Sequence, residues 1–279
     1  MSVTFARNFA RRRLGVVGVI VIVLLIGFCF LGPLIHPTDQ VHTDIDITNL
    51  APGGGHPLGT DANGYDVLGR LMVGGRSSLE IGIAVALLAT LLGALWGAVA
   101  GFTGGALDAL MMRIVDTMLA LPAIFVLIYL ATIAQPTVPL LIAVIALLSW
   151  LAPARLIRSE TLSLRTREFI AAAGAMGSRR RRTIVRHVLP NTVGTLVVNA
   201  TFQVADAIIL LATLSFLGFG LAPPAATWGG MLYQGTSYLL DGYWWEVYPA
   251  GTMIMLTVIA FNLVGDALRE TVDIRLTRR

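Results

Sequence analysis

The residues whose types and spacing point most clearly to a specific role lie between positions 168 and 191. Three consecutive alanines are followed by a glycine and, further on, by a Leu-Pro pair. Four consecutive arginines, at 179–182, cannot lie in hydrocarbon, so the segment is interpreted as an exposed loop. Its small-residue centre lets the groove of a partner come close. The residues assigned to this contact are Glu168, Ala171, Ala172, Ala173, Met176, Gly177, Leu189 and Pro190.

Local signals predict how the chain positions these residues. A short helix is expected from about Glu168 to Met176, with a break at Gly177 and Ser178, and a second, basic helix should follow. Pro190 marks the entry to the next long apolar run. An ordinary loop with positive charges near a membrane explains the arginines taken alone, whereas the whole pattern is better explained by a contact surface.

A second set of polar residues lies within an apolar run. Asn199, Gln203 and Asp206 recur at i, i+4 and i+7, which places them on one face of a helix. Such a stripe should face the interior of a bundle or a water-filled path. Lining of a path is favoured slightly over hydrogen bonding between helices.

The composition indicates an integral membrane protein. Of the 279 residues, 56% are hydrophobic and only 13% are charged, and the mean hydropathy is +0.78. A soluble domain has about 25% charged residues. All 20 basic residues other than histidine are arginines. Without lysine the chain can form neither a phosphate-binding P-loop nor a Schiff base, so any ATP chemistry must come from another chain.

Hydropathy predicts an all-α integral membrane protein with six transmembrane helices, each needing about 20 apolar residues. The first apolar run is interpreted as a retained span rather than a signal peptide, because it is long and has no cleavage site. We expect residues 1–78 to hold the N-terminal tail, the first span and an irregular segment, and residues 79–279 to form a five-helix core with a loop at about 158–192. The predicted spans are 14–35, 79–101, 108–134, 137–156, 193–217 and 247–265.

The distribution of arginines predicts the orientation. Six spans place both termini on one side, and 18 of the 20 arginines then lie on that side together with the 155–192 loop. Because positive charge is enriched in cytoplasmic loops, both termini and this loop should be cytoplasmic. Residues 36–78 and 218–246 should face outward.

The remaining charged residues favour structural roles. Asp116 is expected to pair with Arg113 on one helix face. Asp266 and Arg269 are interpreted as a pair at a helix end. The segment 61–66 resembles a calcium loop only faintly and is expected to be a turn.

Three further expectations concern metals, membrane anchoring and helix packing. The scattered histidines make a metal site improbable, because no ligand spacing supports one. Gly93 and Gly97 fit a close helix crossing, although chance spacing explains them at least as well. An aromatic cluster should anchor the last span at the lipid headgroups. Its members are Tyr243, Trp244, Trp245 and Tyr248.

The 168–191 segment resembles the coupling loop of permease subunits of ATP-binding-cassette (ABC) importers. The family pattern is Glu-Ala-Ala, three residues, Gly, nine residues, Ile, one residue and Leu-Pro. This chain has Ala171 in place of the glutamate and His187 in place of the isoleucine, and it matches the other positions. The missing glutamate removes one polar contact that the family makes with its ATPase.

Further motifs resemble the second (C-type) membrane subunit of oligopeptide, dipeptide and nickel importers. They occur in the same order across most of the chain. One departure is Leu211, where many relatives carry an acid. The matching segments are 56–70, 75–79, 104–108, 112–116, 119–122, 150–158, 162–165, 214–220, 223–229 and 262–269.

The resemblance implies the type I ABC importer permease fold and a non-catalytic role in importing peptides across the bacterial cytoplasmic membrane. It implies three kinds of partner: a second homologous permease, two ATPase subunits or one fused ATPase, and an extracytoplasmic substrate-binding protein. This chain would bind no cofactor, and the partner ATPase would bind ATP and Mg²⁺. A nickel importer is the alternative substrate class. A stand-alone secondary transporter or channel is the less favoured alternative, since no internal repeat is evident.

Overall fold

A computed structural model describes residues 9–133 and 135–277 of the protein. Its first helix, α1, is Arg13–Ile35, close to the predicted first span. Helix α2, Val67–Thr103, is 37 residues long and begins well before the predicted position 79. The Asp66 carboxylate caps it by accepting a hydrogen bond from the backbone N–H of Gly69 at 2.7 Å. The predicted boundary between residues 78 and 79 therefore falls inside a helix.

The next two predicted spans are each bent. Helices α3, Gly105–Leu119, and α4, Ala123–Ile133, meet at an angle of 82°. Pro122 lies at this break; it lacks a backbone N–H and disfavours a helical residue before it. Helices α5, Val138–Ser149, and α6, Leu151–Arg165, meet at 43°. The predicted spans 108–134 and 137–156 are therefore each built from two helices joined at a bend.

The predicted loop lies between α6 and the next long helix. Helix α7 is Glu168–Ala175, and a short helix α8, Arg180–Thr183, continues through a π-helical turn, Ile184–Val188. Helix α9, Leu189–Leu214, follows without a break and ends in a second π-helical turn. The predicted short helix, break and basic helix are confirmed.

Two helices complete the described chain. Helix α10 is Trp228–Thr236, and α11 is Tyr248–Thr277, which extends past the predicted end of the last span at 265. By length and apolarity, four helical stretches of the described residues can each cross a membrane. The two bent pairs can each form one more span, so the count reaches the predicted six. The end of the bundle that holds helix α7 is named the α7 end, and the end that holds Asp66, at the start of α2, is named the Asp66 end.

Helix α2 packs against α6 through glycines. A Cβ atom at Gly93 would lie 2.5 Å from the Pro153 Cβ atom, and one at Gly101 would lie 2.7 Å from the Arg158 carbonyl oxygen. A Cβ atom at Gly97 would overlap the carbonyl oxygen of Ala154. The spacing of Gly93 and Gly97 thus does mark a close crossing, as expected where small residues let membrane helices approach.

This crossing predicts a large effect for Gly97→Leu. The side chain would meet backbone atoms that cannot move aside, so we expect a loss of about 3 kcal/mol of stability, the upper end of overpacking effects. Gly27→Leu is the matched control, because nothing lies within 4 Å of a Cβ atom built there in α1. The measurement is the thermal unfolding of each variant in detergent; equal midpoints for the two would contradict this account.

Candidate functional site

Helix α7 buries one face and exposes the other. Ile170 and Ala173 are buried, and Ile170 packs in a cluster with Ile184 and Val188. The other face carries Phe169, Ala172 and Met176, at i, i+3 and i+7, and all three are exposed. The Met176 side chain is 82% exposed. The helix is therefore held from behind and presents a small apolar surface, which we name the α7 face: Phe169, Ala172 and Met176.

The three predicted contact alanines divide between the two faces. Ala171 and Ala172 are exposed, whereas Ala173 packs inward. Glu168 is exposed in the first turn of α7, where a carboxylate interacts favourably with the positive end of the helix dipole. Ala173 thus positions the surface rather than forming it, a distinction that the sequence pattern alone did not make.

Gly177 ends α7 in the left-handed region, with φ of +77°. The backbone N–H of Ser178 donates to the carbonyl oxygen of Ala173 at 3.0 Å, and that of Met176 donates to Ala172 at 3.0 Å. The first bond and the positive φ are those of a Schellman C-cap, which favours glycine. The cap fixes where Met176 lies on the α7 face.

The segment after Gly177 is fixed to the body of the protein. Thr183 is buried and its hydroxyl donates to the Ser178 hydroxyl at 3.1 Å. The ring of His187 lies 6.5 Å from that of Phe169. Leu189 packs against the buried cluster, and Pro190 is exposed in the first turn of α9. Helix α9 continues directly from this segment, so the loop and a long apolar helix share one continuous helical backbone.

Two ion pairs connect α3 to α6 near the α7 end. The Arg158 guanidinium donates to both carboxylate oxygens of Asp108, at 2.6 and 2.7 Å. Arg155 donates to Asp116 at 2.5 Å. The predicted pair of Asp116 with Arg113 is therefore wrong: the carboxylate reaches across to another helix that lies 39 residues further along the chain.

The polar stripe of α9 does not act as a unit. Gln203 is buried and its side-chain amide donates to the Ser149 carbonyl oxygen at 2.6 Å, at the bend between α5 and α6. It is therefore a contact between helices, the role that was ranked second. Asn199 lines a cavity of about 340 Å³ between α6, α9 and α11, and its side-chain oxygen is buried without a described partner. Asp206 is exposed.

At the Asp66 end the expected turn at 61–66 is confirmed. The Asp61 carboxylate accepts backbone hydrogen bonds from Asn63 and Tyr65 at 2.8 and 3.0 Å, and Gly64 has φ of +79°. Burial raises the pKa of Asp61. Groups of three or more potential metal ligands are not found among the described residues. Asp39, which is exposed, has its pKa lowered to about 2 by backbone hydrogen bonds.

Sequence reasoning missed how firmly the segment before α2 is attached. Arg70 is 2% exposed and donates to the Pro224 carbonyl oxygen at 2.6 Å. The indole N–H of Trp245 donates to the Thr60 carbonyl oxygen at 3.1 Å, and its side chain is buried. The anchoring role predicted for Trp245 is therefore wrong. Trp244, 48% exposed, and Tyr248, 59% exposed, remain available for a membrane interface.

Comparisons with known proteins agree with this architecture. Residues 81–278 match the family described as "Binding-protein-dependent transport system inner membrane component", and residues 3–52 match the "N-terminal TM domain of oligopeptide transport permease C". These matches confirm the family resemblance and a permease role rather than a catalytic one.

Three relatives are similar along nearly the whole chain. A dipeptide transport system permease protein, DppC, of Bacillus subtilis is 35% identical over 98% of this chain and 85% of its own. An oligopeptide transport system permease protein, OppC, of Haemophilus influenzae is 36% identical over 96% and 86%. A putative peptide permease protein of Brucella suis is 40% identical over 97% and 90%. The chain therefore belongs to the family of inner membrane components of binding-protein-dependent transport systems.

Proposed function

We propose that this chain is one of two permease subunits of an ATP-driven importer of peptides, and that it forms half of the path across the cytoplasmic membrane. The names of the relatives, dipeptide and oligopeptide transport permeases, support the cargo. The proposal places residues 79–279 in the core of the subunit. The segment before α2 and the Asp66 end face outward, where a substrate-binding protein delivers the peptide.

The observation that carries the mechanism is the α7 face. A helix of eight residues that is buried on one side and apolar on the other fits the groove of a larger partner. The partner is an ATPase subunit, and it binds the ATP and Mg²⁺. The docking residues are Phe169, Ala172, Met176 and Gly177, with Glu168 and Ala171 at the edge. Ala173, Leu189 and Pro190 hold the loop in place.

Transport requires that the ATP-bound and ATP-free partners prefer different arrangements of the permease. Closure of the ATPase pair moves α7, and the continuous backbone from Arg180 to Phe219 passes this movement to α9. The enrichment of arginines on one side supports a cytoplasmic position for α7 and both termini, the side that ATP occupies.

Reconstitution tests this function. The chain is expressed with its candidate partners, purified in mild detergent and inserted into vesicles with the binding protein supplied at the outer face. We expect the ATPase subunits to co-purify and a labelled tripeptide to accumulate only when ATP is hydrolysed.

Three outcomes oppose the proposal. Accumulation of Ni²⁺ instead of peptide would favour the nickel class. Accumulation of peptide without ATP would indicate a secondary transporter. Loss of the ATPase subunits after gentle solubilisation would remove the role of the α7 face.

A further inference from the structure

Asp206 lies deep within the longest membrane-crossing stretch of the chain. It is 17 residues after Leu189 and 13 before Phe219, which are roughly 25 and 20 Å along a helix. A hydrocarbon layer is about 30 Å thick, so neither end of α9 brings this carboxylate to the membrane surface. Acidic side chains at such depth face a bundle interior or a water-filled cavity.

The surrounding face of α9 is not covered by the described helices of this chain. Ile209, Thr213 and Phe216 follow Asp206 at i+3, i+7 and i+10, and all are exposed. The opposite face, which includes Leu211, is packed into the core. We name the exposed set Asp206, Ile209, Thr213 and Phe216 the α9 face. Because Asp206 is acidic, we expect a water-filled path or a protein partner, rather than lipid, to cover this face.

The carboxylate also lacks a counter-ion among residues 9–133 and 135–277. No described side chain donates a hydrogen bond to Asp206 or forms an ion pair with it. Four arginines of the membrane helices form ion pairs with other carboxylates, and they lie near the two ends of the bundle. Arg70 and Arg76 are at the Asp66 end, and Arg155 and Arg158 are at the α7 end. Among the described residues, Asp206 is therefore left without a counter-ion.

We propose that Asp206 is a specificity residue that binds the cationic head of the cargo as it passes the α9 face, an inference that rests on the proposed function. The cation common to all unmodified peptides is the N-terminal ammonium, whose three N–H groups make strong charge-assisted hydrogen bonds to a carboxylate. A divalent metal ion needs several oxygen or nitrogen ligands, and Ile209, the exposed residue one turn from Asp206, supplies none, while the hydroxyl of Thr213 is two turns away.

The first test measures the electrostatic potential at the α9 face without any cargo. Ile209→Cys introduces a thiol one turn from Asp206, and the native Cys29 is fully buried and serves as the blank. The rates of modification by a cationic and an anionic methanethiosulfonate reagent are compared in the reconstituted complex. A unit charge about 6 Å away favours the cation strongly, so Asp206→Asn should lower the cation-to-anion rate ratio about ten-fold.

The matched control is Asp266→Asn, which removes an exposed carboxylate near the α7 end of α11. It should leave the ratio within about two-fold, because the charge lies beyond the screening distance of about 8 Å. A thiol at position 209 that reacts with neither reagent would overturn the proposal, since the α9 face would then be covered. An unchanged ratio in Asp206→Asn would overturn it too.

The second test measures cargo selection. ATP-driven uptake of a tripeptide is compared with that of its N-acetyl derivative, each supplied at equal occupancy of the binding protein. We expect Asp206→Asn to lower uptake of the unmodified peptide about ten-fold and to leave the acetylated peptide unchanged, with Asp206→Glu retaining most uptake.

Equal loss for both cargoes would show a structural contact, for example with a cation of the second permease, and would overturn the proposal. If the unaltered complex moves no peptide at all, the proposed function fails. The thiol ratio then still reports whether Asp206 attracts cations.

Discussion

Gly177→Glu is expected to abolish ATP-driven peptide uptake while leaving the chain folded in the membrane. Gly177 has φ of +77°, a conformation that costs an L-residue about 1–2 kcal/mol. Nothing lies within 4 Å of a Cβ atom built there, so the new side chain does not clash with its own subunit. It instead disturbs the cap of α7 and places a carboxylate beside the α7 face.

The loss should come from docking rather than from folding. A strain of this size is small beside the burial of Ile170 and Ala173, which holds α7 on the body of the protein. A charge placed in an apolar interface, by contrast, must be desolvated when the partner binds, at a cost of several kcal/mol. We therefore expect the ATPase subunits to be lost on purification, together with uptake, while the thermal unfolding midpoint of the permease itself changes by only a few degrees.

Two control variants separate strain from charge. Gly177→Asn introduces asparagine, which tolerates the left-handed region and adds no charge. At least half of the uptake should therefore remain. Gly242→Glu makes the same change at another exposed glycine with positive φ, +95°, at the Asp66 end, and should retain the ATPase subunits. Unchanged uptake by Gly177→Glu would remove this loop from the docking account.

The α7 segment could be predicted closely because its signals are local. A helix starting at Glu168 and ending before Gly177 follows from an acidic first turn and a glycine cap, and the structure has Glu168–Ala175. The first, fifth and sixth spans were likewise marked by long apolar runs. Hydropathy marks the part of a helix that lies in lipid, however, and not where the helix ends, so the extension of α11 to Thr277 was missed.

The remaining features depend on contacts between distant residues. From the sequence, Arg113 on the same helix is the obvious partner of Asp116. The packing of α3 against α6 brings Arg155 to the carboxylate instead. The sequence pattern predicts that Gln203 lines a path. The bend at Trp150, which the sequence does not predict, presents the Ser149 carbonyl oxygen to its side-chain amide. The early start of α2 has a similar cause. Its first turns, which are interrupted by glycines and arginines, are held by long-range bonds such as that from the Trp228 indole N–H to the Leu71 carbonyl oxygen, at 2.9 Å.

Arg158→Ala is expected to destabilise the subunit by about 3 kcal/mol, the lower end of the range found when one partner of a buried ion pair is removed, because the Arg158 side chain is itself 34% exposed. Asp108 is 7% exposed and would keep its charge in a site from which water is largely excluded. Both carboxylate oxygens lose their donors at once, because the Arg158 guanidinium binds them in parallel. The unfolding midpoint of the purified subunit in detergent measures the loss.

Arg155→Ala is the matched control on the same helix. Its pair with Asp116 is about half exposed on both sides, and exposed pairs contribute about 0.2–1 kcal/mol. We therefore expect a shift several times smaller than that of Arg158→Ala. Equal shifts for the two variants would show that burial of Asp108 does not govern the strength of its pair.

The double variant Asp108→Leu with Arg158→Leu separates the value of the pair from the cost of breaking it. Replacing a buried ion pair by apolar side chains is often neutral, because neither charge then has to be desolvated. The double variant should therefore be more stable than Arg158→Ala alone. If it is, the Arg158–Asp108 pair fixes how α3 meets α6 at the α7 end more than it strengthens the fold. A double variant as unstable as the single one would instead make the pair a net source of stability.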